Sequence, residues 1–534
     1  MFTRVKGTGK YRYLQLVENH REGKRTVQSV LCTLGRVEEL AASGSVDVLL
    51  RSLARFGQRV KLVDGYQAGQ LEAGAIRKLG PDLVFGRLWR ETGIGQVLSN
   101  LLMERRFEFS VERAVYLTVL HRLFQSGSDR SAERWRRDVE IPDVDDFQLH
   151  HLYRAMRWLG EAKDAVEDAL FQERRDLFTE LSLAFFDTTS LYFEGRGGES
   201  LGQYGHSKDH RPDLRQMVVG AVLTGEGRPL CCEMWPGDHA DGGALLPVVD
   251  RLRQRFSASG GALKRVCWVA DRGMISEATI QGLESRKLEY ILGARMRRQR
   301  EVKDEVLGRA GRYHDVADNL QVKEVRVGDR RYIVCHNPQE ALKDAADREA
   351  IVRALEDRLR EGAKDLVGNR GYRHVLRVEK DALTVDAKKI EAEARYDGKF
   401  VLRTNTTLPA DEVAIQYKRL LMVEQFFRLT KSVLETRPIF HQWDATIRGH
   451  VFCSFLALVL VDELQRRLSA KGWKLEWDVI RQDLEALDQV EVREGEQWYL
   501  LRTALQGVAG KVLQAAGVAV PPPVRPAQNV VPRL

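Results

Sequence analysis

Two short apolar runs, Leu183-Ala184-Phe185-Phe186 and Val266-Cys267-Trp268-Val269-Ala270, each stop on an aspartate, Asp187 and Asp271. Such runs are too short for helices. They read as strands buried on both faces, which confines them to the interior of a sheet covered by helices. In sheets of that kind, ligand sites form at the ends of strands. Turn-compatible residues follow both acids: Thr188-Thr189-Ser190 after the first and Arg272-Gly273 after the second. The expectation is one sheet edge carrying two carboxylates.

A third acid stands in Tyr417-Lys418-Arg419-Leu420-Leu421-Met422-Val423-Glu424-Gln425-Phe426-Phe427-Arg428-Leu429-Thr430-Lys431. If this stretch is one helix, Tyr417, Glu424 and Lys431 lie seven apart and share a face. Leu421, Val423, Phe426, Phe427 and Leu429 are left to anchor it. Three carboxylates converging from two strands and a helix can hold two divalent cations about 3.5–4 Å apart, the arrangement used for in-line displacement at phosphorus. Oxygen ligands favour Mg²⁺ or Mn²⁺. Asp187, Asp271 and Glu424 are thus the candidate catalytic and metal ligands, with Tyr417 and Lys431 placed to hold non-bridging phosphate oxygens or the neighbouring backbone. Each acid has a plainer reading when taken alone. Asp187 before Thr188 suits a turn, and Glu424 suits a solvated pair with Arg428 at i+4.

The chain has 534 residues, 43% hydrophobic and 30% charged, which implies several domains of an ordinary globular protein. A net charge of +8 leans only mildly toward polyanionic partners. Six cysteines without CxxC spacing argue against a zinc ribbon or a disulfide framework and favour a reducing cytoplasm. The N-terminal residues lack a signal-peptide pattern, and Val451–Val461 is too short an apolar run to span a bilayer. No membrane partner is expected.

Along the chain, 1–40 reads as a small β unit and 41–180 as a helical region. Residues 181–294 return to strands. At 295–397 the composition shifts, with a basic entry at Arg295, Arg297, Arg298 and Arg300. The core resumes at 398–470, followed by a C-terminal helical region at 471–520 and a flexible proline-rich tail at 521–534. The loop bearing His206, Lys208, His210 and Arg211 is a candidate for contact with DNA backbone, or else a solvated hairpin tip. Arg130–Arg137, with Trp135 interleaved, is either part of the DNA reader or the charged outside of a bundle.

These segments carry a resemblance. The chain resembles the DDE transposases of the insertion-sequence-four superfamily, on the branch with a long N-terminal region. The shared residues are Phe186-Asp187-Thr188-Thr189, Gly205 to Arg211, Gly227-Arg228-Pro229-Leu230, Ala270-Asp271-Arg272-Gly273-Met274, Asp397-Gly398-Lys399-Phe400, and Tyr417 onward into Leu434-Glu435-Thr436-Arg437-Pro438-Ile439-Phe440-His441. The resemblance implies an α/β fold with a ribonuclease-H-like core, a mixed five-stranded sheet with helices on both faces. It also implies a β-rich insertion at 295–397, because the 153 residues from Asp271 to Glu424 exceed what one strand and one helix need.

Function follows by the same resemblance: a Mg²⁺-dependent transposase that cuts element ends at terminal inverted repeats and joins them to target DNA, as a homodimer in the synaptic complex. The alternatives are a metal-dependent endonuclease that does not join, or a non-catalytic DNA-binding relative. Relatives that cut through a hairpin can stack a flipped base on an aromatic of the insertion. This insertion has no tryptophan, which leaves Tyr313, Tyr332 and Tyr372 as platforms. The family's helix carries an arginine three positions after its tyrosine, where this chain has Leu420. Arg428, within about 40° of Glu424 on a regular helix, is the expected substitute. Replacing Arg428 with alanine should weaken strand joining, measured with labelled element ends and target plasmid; unchanged joining would exclude this role.

Overall fold

The computed structural model describes residues 2–22, 25–54, 71–173, 181–258, 266–360, 376–379 and 382–527. They form two compact units, one comprising Met1–Leu79, Ala486–Gln506 and Val520–Leu534, the other Gly80–Glu485 and Gly507–Ala519.

The smaller unit holds two antiparallel sheets. Strands β1 (Phe2–Thr8), β2 (Tyr11–Glu22) and β3 (Arg25–Arg36) pair in sequence order and lead into helices α1 (Val37–Ala42) and α2 (Ser45–Ala54). The expected β unit thus gains a strand at its start. The second sheet was not legible in the sequence. It joins β4 (Leu71–Lys78) to strands from the far end of the chain, β16 (Asp488–Glu494), β17 (Gln497–Arg502) and β18 (Val524–Pro526), in the order β18-β17-β16-β4. Two expectations change with it. The 471–520 region is not purely helical, and the proline-rich tail is an edge strand at its start, where Val524 and Pro526 pair with Leu501 and Tyr499. An edge position tolerates prolines because it leaves one side of the backbone unpaired.

In the larger unit, α3 (Gly80–Glu91), α4 (Ile94–Leu102), α5 (Val111–Phe124), α6 (Asp129–Trp135), α7 (Leu149–Glu161) and α8 (Lys163–Glu173) make the helical region. Trp135 is 2% exposed, so the aromatic among the Arg130–Arg137 charges is a core residue and not a DNA contact. The sheet contains β5 (Leu183–Tyr192), β6 (Gln216–Thr224), β7 (Pro229–Pro236), β8 (Cys267–Ala270) and β9 (Glu289–Gly293). Helices α9 (Leu245–Ala258) and α10 (Glu277–Ser285) fall between strands β7 and β9.

Strands β10 (His314–Ala317), β11 (Leu320–Val327) and β12 (Arg330–His336) follow, then α11 (Pro338–Arg360), the hairpin β13 (Leu376–Glu379) and β14 (Ala382–Val385), α12 (Ala387–Ala394) and β15 (Lys399–Thr404). The sheet order is β10-β11-β12-β15-β9-β8-β5-β6-β7, nine strands where five were expected. The reason lies at the edge of β9. Leu402 of β15 pairs with Gly293, and β12 pairs with β15, so the first strands of the insertion extend the core sheet. Tyr332 is buried in that extension and donates to Glu301 at 3.1 Å, which removes it as a platform. Tyr313 is partly buried against His336, and Tyr372 lies outside the described residues.

The chain closes with α13 (Ala410–Lys418), α14 (Leu421–Ser432), α15 (Asp444–Ala470), α16 (Trp477–Glu485) and α17 (Ala509–Ala516). Helix α15 is apolar nearly all round and buried from Gly449 to Val461, as befits a core helix. By length and composition alone it would pass for a membrane span, yet 83% of its apolar window is covered by protein.

Helix α15 crosses α7 at two glycines. A methyl on Gly449 would stand 1.8 Å from the Met156 carbonyl oxygen, and one on Gly160 would stand 1.8 Å from that of Ala445. The helices therefore touch backbone to backbone. Since backbone cannot swing aside as a side chain can, Gly449→Ala should destabilise the larger unit by about 1–3 kcal/mol. Its thermal midpoint should fall by several degrees; an unchanged midpoint would contradict the close crossing.

Candidate active site

Asp187 and Asp271 are placed by strand register. Strands β5 and β8 run parallel, with Phe186 opposite Ala270, and the two acids are the next residue on each strand. Asp187 does not close its strand, however. Strand β5 continues to Tyr192 with Thr188 opposite Gly220 of β6, so Thr188, Thr189 and Ser190 are buried sheet residues and not a turn. Only the pairing with β8 stops at the acid. The turn after Asp271 is as expected, with the Met274 amide donating to the Asp271 carbonyl at 2.9 Å.

Burial pushes the Asp187 carboxyl up to about 6; Lys208 and the Thr188 amide oppose this, while Asp271 and Asp241 add to it. Its Oδ1 accepts from the Thr188 amide at 2.7 Å, and the Lys208 ammonium stands 3.9 Å away. Lys208 also donates to the Thr188 carbonyl at 2.7 Å and its hydroxyl at 2.9 Å, and lies 3.5 Å from Asp241. Thr188 Oγ1 in turn donates to Asp241 Oδ1 at 2.7 Å. Asp241 is the residue that sequence reasoning missed. It lies in a glycine-rich turn after β7, a position indistinguishable by pattern from an ordinary loop acid.

Tyr417 is not turned outward to meet phosphate. Its hydroxyl donates to Asp271 Oδ1 at 2.9 Å, and burial with this contact raises the phenol well above its usual range. Gly293 makes room for it, since a methyl there would lie 2.5 Å from that hydroxyl. The stretch from Tyr417 to Lys431 is not one uninterrupted helix. The amides of Leu420, Met422 and Val423 each bond three residues back, a 3₁₀ tightening between α13 and α14. Such a turn advances roughly 20° more per residue than an α-helix, so the seven-residue spacing no longer keeps one face. Leu420 is buried at this junction. Arg419 beside it bonds the Gly225 carbonyl and lies over the Phe185 ring.

Glu424 is exposed and makes no ion pair with Arg428 among the described residues, so the plain i+4 reading is not what the structure holds. It lines a cavity of about 760 Å³ together with Asp271, Tyr417, His206 and Lys208. Arg272, Arg297, Arg298 and Lys399 line the same cavity, giving it a cationic wall. Arg295 braces the turn after Asp271, donating to the carbonyls of Arg272 (2.9 Å) and Gly273 (2.8 Å). Lys431 is held elsewhere. It donates to Asp209 at 2.8 Å, with Arg437 reaching the same carboxylate at 3.4 Å. Arg211 pairs with its neighbour Asp213 at 2.8 Å, and Arg428 is exposed.

The carboxylate pair fits a divalent ion in donor chemistry: two oxygen ligands on adjacent strands, one of them, Asp187, partly buried and held back from ionisation. Glu424 faces the same cavity, but no three acids, histidines or cysteines among the described residues stand close enough together to hold an ion.

Comparison with known proteins gives the family. Residues 179–460 match the transposase DDE domain, more than half of the chain, so the chain belongs to the DDE transposases. Residues 2–68 match the N-terminal domain of IS1634 family transposases. No curated protein matches. Among solved structures, the cryo-EM piggyBac transposase synaptic complex with hairpin DNA aligns at 11% identity and TM-score 0.36, over 76% of this chain and 78% of that one. The Mos1 transposase paired-end complex with left transposon end aligns at 14% identity and TM-score 0.16, over 37% and 57%.

The raised Asp187 has a consequence for stability. A carboxylate that ionises at about 6 in the fold but at 3.8 in the unfolded chain disfavours folding fully above pH 6. That cost fades as pH falls below 6 and is small by pH 4, close to the unfolded value, below which both states are protonated. In the absence of divalent ions, Asp187→Asn should therefore stabilise the larger unit at pH 7–8, by at most roughly 3 kcal/mol. The gain should vanish near pH 4. Thermal unfolding of both proteins across that range checks it, and a gain that grows on acidification would contradict the assignment.

Proposed function

We propose that this chain is the transposase of an insertion sequence, which cleaves the element's ends and joins their 3′-hydroxyls to target DNA by phosphoryl transfer. The observation that carries this reading is the register-fixed pair Asp187 and Asp271 beside a cavity that Glu424 shares with a cationic wall. Acids supply cation ligands and bases supply phosphate contacts, and a polyanion undergoing displacement at phosphorus needs both.

Asp187, Asp271 and Glu424 would hold two Mg²⁺ or Mn²⁺ ions. When bound, such ions supply activation of the attacking water or 3′-hydroxyl and stabilise the leaving oxygen. The rest of the work belongs to this chain's residues. Tyr417 orients Asp271 by donating to one oxygen, which leaves the other for a cation. Arg295 fixes the turn that carries Asp271. Lys208, between Asp187 and Asp241, neutralises the acids before cations arrive, and together with His206 would then face the DNA backbone at the cavity mouth. Arg428, exposed on α14, and the basic residues of the wall would hold flanking phosphates. Lys431 would reach DNA only by leaving Asp209.

The contiguous order β7-β6-β5-β8-β9, antiparallel on one side of β5 and parallel on the other, supports a ribonuclease-H-like core. The regions 1–40 and 41–180 would recognise the terminal repeats, and two copies would act in the synaptic complex, in the bacterial cytoplasm. The decisive assay combines purified protein, labelled element ends, Mg²⁺ and target plasmid. Joining that is abolished by Asp271→Asn, with end binding kept, is the expected result. Cleavage without joining would indicate an endonuclease, and binding without cleavage a non-catalytic relative.

A further inference from the structure

Asp241 lines the cavity beside Asp271 and Glu424, on a turn that the fold holds firmly. The Ala244 amide donates to its carbonyl at 3.1 Å, and Thr279 at the start of α10 donates to the Gly242 carbonyl at 3.3 Å. Its carboxylate accepts from the Thr188 hydroxyl at 2.7 Å. Thr188 is buried and fixed in the sheet, so Asp241 meets the strand of Asp187 at a set place. A solvated loop acid needs no such anchors.

Lys208 is anchored as well. Its amide donates to Ser190 Oγ at 2.8 Å. Of its three ammonium hydrogens, two go to the carbonyl (2.7 Å) and hydroxyl (2.9 Å) of Thr188. Because that hydroxyl accepts from Lys208, its own proton is left to point at Asp241. The third ammonium hydrogen is contested. Asp241 Oδ2 stands 3.5 Å from the nitrogen and Asp187 Oδ1 stands 3.9 Å from it. Coulomb attraction falls only with the inverse of distance, so the two pulls are similar and the ammonium rests between them.

We propose that Asp241 is a positioning residue that draws the Lys208 ammonium off Asp187 and so keeps the Asp187 carboxylate available to a divalent cation. One small region faces two opposed demands. A cation needs bare carboxylate oxygens, and a phosphate needs an ammonium close by. With no counter-charge at 241, the ammonium would pair with Asp187 alone, and a cation would have to displace it to reach the same oxygens. With Asp241 present, the ammonium stays in the cavity without closing on Asp187. Asp241 thus acts through Lys208 and not as a ligand.

This inference rests on the cation reading of Asp187 and Asp271, and its test separates the two ideas. Mn²⁺ is titrated into the full chain without DNA, and binding is followed by loss of the free-ion EPR signal. The native chain is compared with Asp241→Asn, Lys208→Met and the double variant. Asparagine keeps the acceptor for Thr188 and removes only the charge, and methionine keeps most of the lysine stem. The two side chains are 28% and 32% exposed, so the core packing is spared. Asp241→Asn should weaken Mn²⁺ binding about tenfold, and Lys208→Met should tighten it several-fold. Once Lys208→Met is in place, adding Asp241→Asn should cost less than about twofold, because no ammonium remains to be held. An equal loss with and without Lys208 would make Asp241 a direct ligand and overturn the proposal. Unchanged binding in Asp241→Asn, or in Lys208→Met, would overturn it too. Asp187→Asn separates the readings. Should the native chain bind no Mn²⁺ that Asp187→Asn removes, the cation reading fails and this inference with it. Binding that Asp187→Asn removes, with additive effects at 208 and 241, removes this inference alone.

Discussion

The structure turns on the parallel register of β5 and β8. With Phe186 opposite Ala270, the next residue of each strand is an aspartate, and neither can move without shearing the sheet. Register in a strand buried on both faces is strongly specified, because a slip would disrupt every packed side chain in Phe185, Phe186, Trp268 and Val269 at once. Two like charges are thereby forced together where burial already opposes ionisation. In the proposed function, a divalent cation would relieve that unfavourable pairing.

Much of the surrounding structure manages those charges. Lys208 is tethered to Thr188 and set between Asp187 and Asp241. Tyr417 gives a hydrogen bond to Asp271, and Arg295 caps the carbonyls just after it. Only Glu424 is left without such support, on a helix whose entry is tightened at Leu420. In the proposed function, Glu424 would be the member of the set with most freedom to adjust to an ion, and the two strand acids would be its fixed frame.

How much of this was legible depended on the range of the interaction. Asp187, Asp271 and Glu424 were readable because each sits in a local pattern, an apolar strand or an amphipathic helix. What the pattern could not carry was pairing between distant segments. Asp241, Asp209 and Arg295 look like ordinary loop charges until Thr188, Lys431 and the Asp271 turn come to meet them. The same limit applied to the fold. Strands β2 and β3 were visible as alternation, but β4 pairs with β16 across some four hundred residues, and no local periodicity announces that. Tyr417 was misread for a related reason. A regular-helix projection cannot foresee a 3₁₀ junction, nor that a glycine at 293 leaves space for a phenol. Trp135 shows the same limit, since an aromatic interleaved with arginines proves to be a core residue.

The central claim is that the two strand acids, joined by Glu424, form the cation site. Anomalous X-ray scattering from crystals of the full chain soaked in Mn²⁺ tests it most directly. The account predicts two manganese peaks about 3.5–4 Å apart at the Asp187, Asp271 and Glu424 carboxylates. Both peaks should be lost in Asp187→Asn crystals. Manganese bound elsewhere, or unaffected by that substitution, would contradict it.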